Sequence, residues 1–145
     1  MKIRNDYYSI ACNDLEYLQA VLHLPFYNKM ASDSQQIVEK LLKSVAELCS
    51  VDKTVLNSHN LRKINQEIKN CGIDLGLKAK DLAMLTDYYF DARYPGDDFV
   101  VVTKEECAEC VDIVNQVFTA VNSFRKEKGL EVEQIPSRGI EPPAE

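Results

Sequence analysis

Apolar residues in the first part of the chain recur at helical spacing: Tyr7, Tyr8, Ala11, Leu15, Leu18 and Leu22 fall on one stripe. The pattern predicts a first helix from about Asn5 to His23, with Asn5 or Asp6 as N-cap. Pro25 would break a helix interior but is accommodated in a first turn, so a second helix should start there and run to about Cys49. Its stripe is Phe26, Met30, Ser34, Ile37, Leu41, Val45 and Leu48. Ser32-Asp33-Ser34-Gln35 matches a capping box and leaves a later start or a kink near Ser32 open, but the unbroken periodicity favours one long helix. Ser50 to Ser58 reads as a loop. Asn57 and Ser58 are natural N-caps for a third helix, His59 to about Asn70, with Leu61, Ile64 and Ile68 inward and Cys71-Gly72 closing it.

A fourth helix should span about Lys78 to Arg93, with Leu82, Leu85, Tyr88 or Tyr89, and Ala92 on its apolar face. Pro95 disfavours the helical region at Tyr94, so the helix ends there and Arg93 is expected in its last turn, beside the negative end of the dipole. Asp97 to Val102 reads as extended or irregular. Thr103-Lys104-Glu105-Glu106 is a capping box that opens a fifth helix to about Lys126, closed by Gly129. Alternation typical of half-buried strands is missing. Five helices with short links predict an all-α, up-and-down bundle over residues 1–129. The tail, 130–145, is rich in Pro and Glu and is expected to be mobile.

Composition narrows the function classes. A chain of 145 residues suits one core, and its formal charge of −6 argues against nonspecific coating of DNA or anionic membrane. No apolar run approaches the length of a membrane span, and the N-terminus reads as a helix start, not a signal peptide. Five cysteines, an odd number beside apolar helical patterns, read as buried free thiols in a reducing cytoplasm. Cys107 and Cys110 form a CxxC with no second pair to complete four ligands, so neither a metal nor a cofactor is expected.

Candidate chemistry is sparse. His23 at a helix end reads as a surface residue that complements the dipole. His59 and Asn60 stand at the start of the third helix, where free backbone N–H groups suit a phosphate; both are candidate nucleotide or RNA contacts. Gln36, Glu39, Lys40 and Lys43 project from the second helix, and the Glu39–Lys43 pair reads as part of a solvated face. Asp87, Asp91, Asp97 and Asp98 lack the spacing of a calcium loop. Arg93 could grip phosphate with its fork and Tyr94 could offer a stacking face.

Four segments together resemble the HEPN domain family (higher eukaryotes and prokaryotes nucleotide-binding). They are Ser34-Gln35-Gln36-Ile37-Val38-Glu39-Lys40-Leu41-Leu42-Lys43, Ser58-His59-Asn60-Leu61, Tyr89-Phe90-Asp91-Ala92-Arg93-Tyr94-Pro95 and Thr103-Lys104-Glu105-Glu106. They look like that family's Q-x-x-E-K-x-L-K helix, H-x-L helix start, R-Y-P exit and T-x-E-E opening, over about Asp6 to Arg125. The resemblance implies a helical bundle that forms a homodimer. It also implies nucleotide or RNA binding, often beside a nucleotidyltransferase partner in toxin–antitoxin or defence pairs. Many members are metal-independent ribonucleases with an Arg-x(4–6)-His motif, in which histidine moves a proton and arginine stabilises charge on phosphorus. Here Asp52, Lys53 and Thr54 occupy the arginine positions before His59, and Glu16, Tyr17 and Leu18 those before His23. The resulting expectation is a non-catalytic, cytoplasmic module that binds a nucleotide, RNA or protein partner through His59, Asn60, Arg93 and Tyr94, with Lys43 as a further candidate. The alternatives are a divergent ribonuclease and a purely structural interaction bundle.

Overall fold

A computed structural model describes residues 3–49 and 51–141. It contains six helices: α1 (Tyr7–Ala20), α2 (Tyr27–Ala46), α3 (Lys53–Leu56), α4 (Leu61–Asn70), α5 (Ala79–Asp91) and α6 (Lys104–Glu127). No strand occurs among the described residues, so the protein is an all-α bundle. No helix among those residues is long and apolar enough to cross a membrane.

α2 is the axle, packing against α1, α4, α5 and α6. A surface helix buries one stripe; α2 buries nearly its whole circumference. Ile37, Val38, Leu41, Leu42 and Val45 all have no exposed area. It runs unbroken through Ser32, and Ser34 Oγ donates to Met30 O at 2.7 Å, satisfying its hydroxyl inside the helix. The expected stripe is right in its middle and wrong at its ends, because Phe26 and Leu48 lie outside the helix and are 62% and 55% exposed.

Three local signals had other outcomes. Ser50 to Ser58 was expected to be a loop, but α3 forms within it, with Asp52 Oδ1 accepting from Thr54 N at 3.0 Å. One turn is too short for a hydrophobic period to register. The N-cap of α4 is Asn60, whose Oδ1 accepts from Lys63 N at 3.2 Å, rather than Asn57 or Ser58. Arg93 stands just beyond the C-cap, Ala92, not in the last turn of α5. There the backbone tightens, Arg93 N donating to Phe90 O at 3.3 Å, before Pro95 ends the run.

Asn28 of α2 clamps the stretch after α5. Its Nδ2 donates to Ala92 O and Val100 O (3.2 and 2.8 Å), and its Oδ1 accepts from Val102 N at 2.7 Å. The capping box that opens α6 is present in both directions: Glu106 N to Thr103 Oγ1 at 3.1 Å, and Thr103 N to Glu106 Oε1 at 3.0 Å. Thr103→Ala should cost about 1 kcal/mol, read as a lower midpoint in urea unfolding with an unchanged slope.

Residues 130–141 of the expected tail form neither helix nor strand. They lie against α1 and α6. Glu133 N donates to Tyr8 Oη at 2.8 Å, and Gln19 bonds both backbone groups of Arg138. Ile135 is 9% exposed. The last four residues, 142–145, lie outside the described residues.

Of the cysteines, Cys12, Cys107 and Cys110 are buried, Cys49 is half-buried and Cys71 is exposed. The expectation of five buried thiols therefore fails at the ends of α2 and α4, where the chain turns to solvent. Burial pushes the Cys12 thiol up to about 11 and Cys107 up to about 12. Unfolding frees these thiols to ionise near pH 8.5. Their contribution to stability is whole below that pH and is lost as pH rises through 11 to 12. Urea midpoints should be level from pH 7 to 8 and fall steadily above pH 9.

Candidate functional site

A row of polar side chains crosses from α2 to α5. Gln35, Glu39 and Lys43 stand four apart on α2 and are buried, at 0%, 5% and 5% exposure. Glu39 Oε2 accepts from Lys43 Nζ at 3.1 Å. Glu39 Oε1 accepts from Gln35 Nε2 at 3.1 Å and faces His59 Nδ1 at 2.8 Å. A carboxylate only accepts, so Nδ1 carries the proton and the ring is held in one orientation. Gln35 Nε2 also donates to His59 O at 3.1 Å, fixing the backbone of that residue. The Glu39–Lys43 pair is therefore internal. The solvated face expected from its spacing is wrong here, because α4 and α5 cover that side of α2.

The far side of His59 meets α5. Its ring stacks on Tyr89 with centroids 4.3 Å apart and 18° between planes, and Nε2 lies 3.2 Å from Tyr89 Oη. Arg93 Cζ lies over the same Tyr89 ring at 4.5 Å. The Tyr89 ring thus meets an imidazole and a guanidinium at once. This arrangement depends on docking α4 to α5, where Leu61 N donates to Thr86 Oγ1 at 3.1 Å.

The five expected site residues thus part company. His59 and Arg93 share one aromatic platform and both are exposed. Tyr94 is 49% exposed, with Arg93 Cζ 5.5 Å from its ring. Asn60 is exposed but spends its oxygen on the α4 cap. Lys43 is buried against Glu39 and offers no ammonium to a ligand. Sequence reasoning missed Tyr89 and Gln35. The Gln35, Glu39, Lys43 spacing could have flagged a shared helix face, but nothing in it revealed that the face is covered.

Arg93 also borders a groove of about 730 Å³ between α1, α2 and the exit of α5. Its other cations are paired: Lys29 with Asp33 at 2.7 Å and Lys40 with Asp14 at 2.6 Å. No carboxylate pairs with Arg93 among the described residues. Tyr17, on the wall, is 57% exposed.

Against known families, the HEPN domain profile matches residues 5–126. The chain belongs to the HEPN domain family. The match begins just before α1 and stops in the last turn of α6, so it spans all six helices. Searches of curated proteins and of solved structures return no match. HEPN membership makes this a helical module of the nucleotide- and RNA-related class. The polar row and the Arg93 groove both lie inside the matched span.

Proposed function

We propose that this HEPN chain binds a phosphate-bearing ligand, a nucleotide or an RNA end, without cleaving it, in the groove bordered by Arg93. The observation that carries this reading is an exposed guanidinium over the Tyr89 ring that no carboxylate pairs with among the described residues, the groove's own Asp14 and Asp33 being taken by Lys40 and Lys29. A planar fork of that kind suits two phosphate oxygens. Tyr17 supplies a face on which a base can stack, and the groove falls in the size range of small-ligand sites. His59, held by Glu39, lies outside that groove and steadies the Tyr89 ring on which Arg93 rests. Homodimer formation and pairing with a nucleotidyltransferase in a toxin–antitoxin or defence system belong to the same proposal. They would place the groove next to a source of nucleotide.

Isothermal titration of AMP, ATP and a short RNA against the wild type and Arg93→Ala tests the reading. Loss of a charged hydrogen bond should weaken binding about tenfold or more in the variant. No heat from any of the three at millimolar ligand would eliminate it.

A second reading has its own support. The Glu39–His59 bond at 2.8 Å fixes the tautomer that a general base or acid requires. A divergent ribonuclease would cleave single-stranded RNA in EDTA and lose that activity in His59→Ala. Equal cleavage by wild type and variant would assign it to a contaminant.

A further inference from the structure

We propose that a second groove, between α4 and the start of α5, is an anion site for a phosphoryl group that carries a hydroxyl. It is independent of the Arg93 groove. Three observations converge on it. The wall, enclosing about 370 Å³, presents Arg62, Lys63 and Lys69 and no carboxylate, in a chain whose net charge is −6. Ala79 of the same wall begins α5, whose N-cap, Lys78, makes no side-chain capping bond. In that first turn Asp81 N donates to Lys78 O at 3.1 Å, while Ala79 N and Lys80 N have no acceptor among the described residues and offer two donors to an anion. Asp81, the acidic residue of the turn, is not part of the wall.

Asn65 supplies the decisive part. It lines the groove, is 6% exposed, and its Oδ1 has no donor among the described residues. Buried polar atoms are rarely left so, because an unmet acceptor is costly. A groove lined by three cations and one unpartnered acceptor selects a particular anion. The cations and the α5 N–H groups take charged oxygens; Asn65 Oδ1 takes a hydroxyl proton. A phosphate monoester meets both demands, because its second ionisation lies near pH 6 and sugar hydroxyls lie next to it. Sulfate meets only the first.

The test is amide chemical-shift titration of the full chain at pH 6 and constant ionic strength, with inorganic phosphate and sulfate as probes. Saturable shifts are expected at Asn65, Ala79 and Lys80, with phosphate preferred about fivefold, the worth of one hydrogen bond. Asn65→Leu keeps the side chain's size, removes the acceptor and should bind phosphate and sulfate equally. Because it buries no polar atom it should fold at least as stably as the wild type, so loss of preference will not be confused with loss of fold. Arg62→Ala should weaken both anions, and Arg93→Ala neither. Ribose 5-phosphate and a 5′-phosphorylated RNA hexamer, which share the same group, separate a small-molecule source from a polymer end. Equal wild-type affinity for phosphate and sulfate would overturn the proposal. So would a preference that survives in Asn65→Leu, or shifts that never saturate.

Discussion

Glu39→Ala should destabilise the fold by about 3–5 kcal/mol, because it leaves the Lys43 ammonium buried and without its counter-charge. Both residues are 5% exposed, and the pair is 3.1 Å apart. The same substitution removes the acceptor for Gln35 Nε2 and His59 Nδ1. His59 should then lose its fixed orientation against Tyr89. The measurement is a urea unfolding curve, with the His59 ring resonances followed by NMR. Replacing both charges, as in Glu39→Leu with Lys43→Leu, should cost much less than Glu39→Ala alone, since no isolated charge remains inside. A single variant within about 0.5 kcal/mol of the wild type would mean that the pair is reached by water and is not the internal fastening described above.

Tyr8→Ala should cost a similar amount, about 3–5 kcal/mol, for the loss of a fully packed aromatic ring. Tyr8 is 2% exposed, and Arg125 Cζ lies 3.7 Å from its ring centre. Its hydroxyl ties two distant parts of the chain, donating to Asn122 Oδ1 at 2.7 Å and accepting from Glu133 N at 2.8 Å. Tyr8→Phe separates the two roles. It keeps the ring, leaves those two groups without their partner and should cost about 1–3 kcal/mol. In that variant, amide exchange at Glu133 should accelerate far more than exchange in α2. Uniform acceleration would mean that the segment after α6 is not anchored by this bond.

The elements legible in the sequence are those with many turns of repeating pattern. α2 and α6 span 20 and 24 residues and bury apolar side chains at each turn, so an error at any one position is outvoted. The Thr103 capping box was equally plain, because both halves of the reciprocal bond are local. What stayed hidden depends on contacts far apart in the chain. Glu39 and His59 are 20 residues apart, and nothing about a Glu-x-x-x-Lys spacing says whether water or another helix covers it. Tyr88 and Tyr89 were interchangeable by period. Packing separates them: Tyr88 goes inward, its Oη 2.9 Å from Glu106 Oε2, and Tyr89 is left for His59 and Arg93. The same limit applies after Gly129: Pro and Glu content led to the expectation of a mobile tail, and nothing in it told that Gln19 and Asn115 would hold Arg138.

The axle position of α2 has a mechanical outcome. α4 and α5 lean chiefly on α2 and on each other, as a hairpin set on one side of the bundle. Both grooves proposed to receive phosphate draw on that hairpin or its exit. If the hairpin loosens as a unit, a ligand seated in either groove tightens it, and occupancy becomes coupled to how firmly this half of the molecule is closed.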